Sequence, residues 1–87
     1  MSRFIAVHTF PLTEEQLMAA VRTPSAAYPA GVVWKLTYCD FADGKFSCEW
    51  EGPSKQAIEQ ALEGDQTPFD AVYPVRTFDV ATGKLEP

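Results

Sequence analysis

The chain has 87 residues, 46% hydrophobic and 22% charged, which suits one small core and excludes both a disordered chain and a multidomain one. A formal net charge of −5 argues against nucleic acid or an anionic membrane as partner. No stretch approaches the length of a membrane span, and the start MSRFIAVHTF has too short an apolar run for a signal peptide. With two cysteines, that predicts a reducing, cytoplasmic setting.

Arg3 to Thr9 alternates without glycine or proline and reads as a central strand, with Ile5 and Val7 on one face and Phe4, Ala6 and His8 on the other. Thr13-Glu14-Glu15-Gln16 is a capping box, and Leu12 and Leu17 stand where a hydrophobic staple would place them. Leu17, Met18 and Val21 form the apolar stripe of the helix that follows, whose two acids sit at the positive end of its dipole. From Thr23 to Gly31 the prolines predict a broken or kinked extension with Tyr28 as its one large side chain.

Val32 to Pro53 reads as a hairpin that holds both tryptophans and both cysteines. A three-residue loop ending on Gly44 sets Tyr38 opposite Cys48, Leu36 opposite Trp50 and Lys35 opposite Glu51. Val32, Trp34, Leu36, Tyr38, Phe46, Cys48 and Trp50 then share the buried face, and Lys35, Thr37, Cys39, Ser47, Glu49 and Glu51 the other. In that register the cysteines point to opposite sides. Ser54 caps a second helix with Ala57, Ile58, Ala61 and Leu62 inward and Gly64 as its stop. After a loop over 65–70, Ala71 to Val80 is the last strand, and Pro74 assigns it to a sheet edge. Residues 1–80 form the domain and 81–87 a loose tail.

Strand, helix, strand, strand, helix, strand predicts an α+β, ferredoxin-like βαββαβ fold, its antiparallel sheet in order 4-1-3-2 with both helices on one face. The chain resembles a family of small ferredoxin-like proteins of unknown function that includes a nickel-responsive member and belongs to the dimeric α/β-barrel superfamily. The resemblance rests on Thr9-Phe10-Pro11, Thr13-Glu14-Glu15-Gln16-Leu17, Gly31-Val32-Val33-Trp34, Phe46 to Pro53 (FSCEWEGP) and Tyr73-Pro74-Val75. It implies a homodimer with two sheets face to face and a cavity or metal site near the interface. The proline-broken stretch after the first helix departs from the continuous helix such a family would carry. Independently, a sheet covered by helices on one side needs a second subunit or water on the other, and Phe4, Val33 or Phe78 would leave apolar area there.

Strand parity brings His8, the only histidine, to the face carrying Cys39, Ser47, Glu49 and Glu51. A histidine with one or two carboxylates suits nickel, zinc or copper, so His8 and Glu49 are the candidate metal ligands; alternatively His8 only orders the sheet. No CxxC or HxxxH spacing points to a closed zinc site, and Cys48 reads as a small core residue. Tyr28, Trp34, Tyr38 and Trp50 either line a ligand pocket between sheet and helices or fill the core. The leading expectation is a homodimeric protein that binds a divalent transition metal, nickel by resemblance, or a small ligand near the dimer interface. The alternatives are a cofactor-independent monooxygenase or isomerase of the dimeric α/β-barrel kind, with His8 as base and an aromatic substrate, and a non-catalytic interaction module.

Overall fold

The computed structural model describes residues 2–22 and 28–87. β1 (Ser2–Thr9), α1 (Glu14–Arg22), β2 (Val33–Asp40), β3 (Lys45–Gly52), α2 (Lys55–Gly64) and β4 (Ala71–Val75) follow one another as expected. The sheet runs β2-β3-β1-β4, antiparallel throughout, which is the ferredoxin-like order read from the other edge. Pro74 lies on edge strand β4, where its missing N–H breaks no ladder. The expected break within 23–27 lies outside the described residues. No helix among the described residues is long and apolar enough to cross a membrane.

α2 seals one face of the sheet. The Ser54 hydroxyl accepts the Ala57 amide at 3.1 Å, and Ala57, Ile58, Ala61 and Leu62 are all buried against Phe4, Ala6, Cys48, Trp50 and Val72. The helix ends at Gly64 as expected, but Gly64 is not the residue that takes the left-handed turn. The chain reverses at Gln66, with φ 56°, while the Gln66 amide donates to Glu63 O and the Thr67 amide to Leu62 O. This is a Schellman closure with glutamine in the left-handed position that glycine normally occupies. Gln66→Gly is therefore expected to raise stability by about 1 kcal/mol in denaturant unfolding, because the Cβ strain is relieved.

Three expectations are corrected. First, β1 faces the other way: Phe4, Ala6 and His8 pair with Trp50, Cys48 and Phe46, so they share the helix-covered face, and Ile5 and Val7 occupy the open one. Second, the hairpin has a four-residue loop, because the Asp40 carboxylate takes the Asp43 amide at 3.1 Å and Asp40 pairs with Lys45. Thr37 stands opposite Cys48, Tyr38 opposite Ser47 and Leu36 opposite Glu49; a bulge at Lys35 then restores Trp34 opposite Trp50 and places Val33 opposite Glu51. Leu36 and Tyr38 thus lie on the open face, and Thr37 and Cys39 on the same side as Cys48. Third, the last strand, expected over Ala71–Val80, ends at Val75, and β5 (Thr77–Asp79) instead pairs with β6 (Lys84–Glu86), from the segment expected as a loose tail, in a separate hairpin.

Candidate functional site: an aromatic cleft beneath the first helix

α1 is capped as expected, Gln16 N donating to Thr13 Oγ1 at 3.1 Å and Thr13 N to Gln16 Oε1 at 2.9 Å. It does not close on the sheet. None of its residues is buried; Met18 and Val21 are exposed, and only Leu17 and the small Ala20 face inward. Between α1, the sheet and the end of α2 lies a cavity of about 160 Å³, walled largely by aromatic and aliphatic side chains. Such a volume is comparable to an engineered apolar cavity of about 150 Å³ that stays dry and takes up benzene.

Trp34 and Trp50 stack in this wall at 6.1 Å and 18°, directly opposite one another across β2 and β3. Their indole N–H groups differ. Trp34 Nε1 donates to Thr37 Oγ1 at 2.7 Å, and that hydroxyl donates to Cys48 Sγ at 3.1 Å. Trp50 Nε1 is buried with no hydrogen-bond partner, although a buried donor left unsatisfied costs about 1–3 kcal/mol. Tyr28 closes the outer side: its ring meets Trp50 edge-on at 5.4 Å, and its hydroxyl donates to Asp65 Oδ2 at 2.9 Å.

His8 forms the far wall. It is 4% exposed, and Phe10 packs edge-to-face on its ring at 6.0 Å. Nδ1 lies 2.7 Å from the carbonyl oxygen of Pro68; a carbonyl only accepts, so Nδ1 carries a proton. In the neutral ring, Nε2 is then the acceptor, and no described residue bonds to it. The loop that supplies Pro68 is held by the Gln66 reversal at one end. At the other, the Asp70 amide donates to Val7 O at 2.7 Å and the Thr9 hydroxyl to Asp70 Oδ2 at 2.8 Å.

Burial pushes the Cys48 thiol up from its ordinary value of 9.0, with the nearby Cys39 adding to the shift and the Thr37 hydroxyl opposing it. It is a poor nucleophile at neutral pH. Because the folded-state value is the raised one, its contribution to stability is complete below pH 9.0 and is lost as pH rises through the folded value.

Of the expected pocket residues, Tyr28, Trp34 and Trp50 converge on the cleft, whereas Tyr38 is 67% exposed on the opposite face. The expected pairing of His8 with Glu49 does not occur within a chain. Glu49 pairs with Ile5 on the open face, where its carboxylate lies 3.8 Å from Arg3 Nε, and the sheet separates it from His8. Thr37 and Phe10, which shape the cleft, were missed. The alternation of β2 could have exposed Thr37 had the bulge at Lys35 been anticipated.

Fold and cleft define a small α+β protein of ferredoxin-like topology with an apolar cleft beneath its first helix. The chain belongs to the nickel-responsive SCO4226-like family, whose model matches residues 4–75. The crystal structure of SCO4226 from Streptomyces coelicolor A3(2) is similar, with a TM-score of 0.73 and 25% sequence identity over 85% of this chain and 95% of that one. No curated protein matches the chain. The side chains do not fit a nickel ion bound within one subunit. Among the described residues no three of His, Cys, Asp and Glu converge on a point, and the single imidazole stands in an apolar wall.

Proposed function

We propose that the protein is a homodimeric small-molecule binder whose ligand enters the cleft beneath α1. The observation that carries this reading is His8, almost wholly buried in an aromatic wall with Nδ1 engaged and Nε2 left without a partner. An imidazole nitrogen with no described partner, on a residue that lines an apolar cavity, is the kind of polar group that orients a bound ligand. The test is scanning calorimetry with benzene as probe. Millimolar benzene is expected to raise the melting temperature of the wild type, because a ligand that binds only the folded state stabilises it by mass action. In Ala20→Phe, whose new ring fills the cleft from α1, the shift is expected to vanish. A wild-type melting temperature indifferent to benzene would sink the reading.

The dimer is supported by the open face. Val33, Leu36, Tyr38 and Tyr73 are 42–67% exposed there, around the half-buried Ile5 and Val7. A second copy covering this face would bury them about a two-fold axis. Sedimentation velocity is expected to give twice the chain mass of 9.6 kDa, and Leu36→Arg to shift it to the monomer. A wild-type monomer at micromolar concentration would refute the assignment.

Nickel is the second reading, favoured by the family description. It would draw on donors that two subunits bring together, and His8 in its cleft would not be among them. Calorimetric titration of the chelator-stripped protein separates the two readings, since nickel heat lost in His8→Ala would restore His8 as a metal ligand.

A further inference from the structure

The β5–β6 hairpin lies beyond residues 4–75, which match the family, and its own chain leaves one side of it bare. Phe78 stands opposite Leu85, so these two share one side of the hairpin, while the pairs Thr77 with Glu86 and Asp79 with Lys84 share the other. Phe78 and Leu85 are 58% and 51% exposed, and Val80, which follows in the turn, is 85% exposed. Local bonds build the turn. Asp79 Oδ1 accepts the Ala81 and Thr82 amides at 2.9 Å and 3.4 Å, and the Gly83 amide donates to Asp79 O at 2.7 Å. Among the described elements, β5 and β6 make extended contact with each other alone. A two-stranded hairpin without further cover is marginal in water, so a regular one with large apolar side chains outward calls for a surface to lie against.

Its position says which surface. The hairpin springs from the end of edge strand β4, and Arg3, on the open face beside Glu49, donates through Nη1 to the Thr77 hydroxyl. The polar side is thus turned toward its own sheet at the margin of the open face. The side carrying Phe78 and Leu85 is turned away, toward the space that a second copy over that face would occupy. Resting on the reading of the open face as a dimer interface, we propose that this hairpin is a dimer arm. Phe78 and Leu85 of each copy pack on the other copy at the rim of the paired sheets, and a two-fold axis exchanges two such arms.

Area and charge both suit a second copy. The open face is four strands wide, with strands of 8, 8, 8 and 5 residues, a footprint on the order of 450 Å² at about 4.8 Å between strands and about 3.3 Å per residue. A stable interface takes about 800 Å² from each partner. An arm about 10 Å wide and about 13 Å long adds on the order of 130 Å², and it counts twice, because each copy gives one arm and receives another. The face alone falls well short of a standard interface, and the face with exchanged arms approaches it. Arg76 and Lys84 balance Asp79 and Glu86, so the arm's side chains bring no net charge toward a chain that carries −5.

Sedimentation equilibrium of the full chain compares the wild type, Leu36→Arg and the double variant Phe78→Ser/Leu85→Ser. The double variant is expected to raise the dimer dissociation constant by at least about a hundredfold. Its far-UV circular dichroism should keep the signature of the folded domain, since neither side chain belongs to the core. A double variant that dimerises as tightly as the wild type, beside a Leu36→Arg that does not, would overturn the arm and leave the interface standing. A wild-type monomer would remove both. Isotope-filtered nuclear Overhauser spectroscopy on a mixture of 13C-labelled and unlabelled wild-type chains decides the matter without any variant. Cross-peaks from the Phe78 ring and the Leu85 methyl groups to the second copy are expected, and a dimer in which these groups show none overturns the arm.

Discussion

Ile58→Ala is expected to cost about 3–4 kcal/mol of unfolding free energy, which is a large share of the about 5–15 kcal/mol that holds a domain together. Ile58 is 0% exposed and is the largest of the fully buried side chains among the described residues. It sits on the inward face of α2 and reaches the end of β3, where its Cδ1 would lie 2.8 Å from a Cβ added at Gly52. Ala57 and Ala61 beside it on the helix are too small to fill the space, and Gly52 presents only backbone. The loss is the transfer energy of three carbons together with the cavity they leave. For a chain of this size it corresponds to a fall in melting temperature of about 15 °C or more. Ile58→Val, which removes one carbon, should cost about 1 kcal/mol. Chemical denaturation of the three proteins checks the series, and a loss below about 1 kcal/mol in Ile58→Ala would show that α2 is not the main cover of the sheet.

Gly44→Ala is the second large effect, and it connects the fold to the cleft. Gly44 closes the β2–β3 loop with φ 65°, and its carbonyl accepts the Phe10 amide at 3.0 Å. A methyl group there would meet Phe10 O at 3.0 Å and Phe10 C at 3.2 Å, and both are backbone atoms that cannot rotate away. The left-handed conformation costs about 1–2 kcal/mol for a residue with a Cβ, and displacing the backbone adds to it, so about 2–4 kcal/mol is expected. Gly83 separates the two contributions. It has φ 68° in the β5–β6 turn but nothing within 4 Å of an added Cβ, so Gly83→Ala should show the conformational cost alone. Phe10 packs on His8 and Phe46, so the strain at Gly44 should also weaken benzene binding in the cleft, whereas Gly83→Ala should not. Equal losses in the two variants would contradict the close approach at Phe10.

Local signals in this sequence are reliable where one residue makes one interaction. Thr13 with Gln16, Ser54 before α2 and Pro74 at an edge each act through a single hydrogen bond or its absence, and each stands where the residues predict. The strand order follows from the same punctuation. What was not legible is parity. β1 is apolar on both sides, as a central strand must be when something covers each face, so alternation cannot say whether Phe4 and His8 or Ile5 and Val7 look toward the helices. The register of β2 turns on the Asp40 side chain, which starts the loop one residue early, and on a bulge at Lys35 that leaves no mark in the hydrophobic pattern.

Those two parity errors account for the whole misreading of the site. They set His8 beside Glu49, suggesting a metal pair, and moved Tyr38 into the pocket in place of Thr37. Once both strands are turned over, the one imidazole joins Trp34, Trp50 and Tyr28 in a single apolar cleft. The end of α2 adds a further point that no sequence rule supplied. Gln66 takes the reversal that Gly64 would be expected to make, and the loop that carries Pro68 O to His8 follows from it.

The most direct test of the cleft as a ligand site is a two-dimensional 15N spectrum of the wild-type protein during titration with benzene. Both indole N–H resonances, from Trp34 and Trp50, are expected to shift together and to saturate, and to stay fixed in Ala20→Phe. Indole resonances that do not move, or that move equally in the filled variant, would contradict the account and return both tryptophans to the role of core.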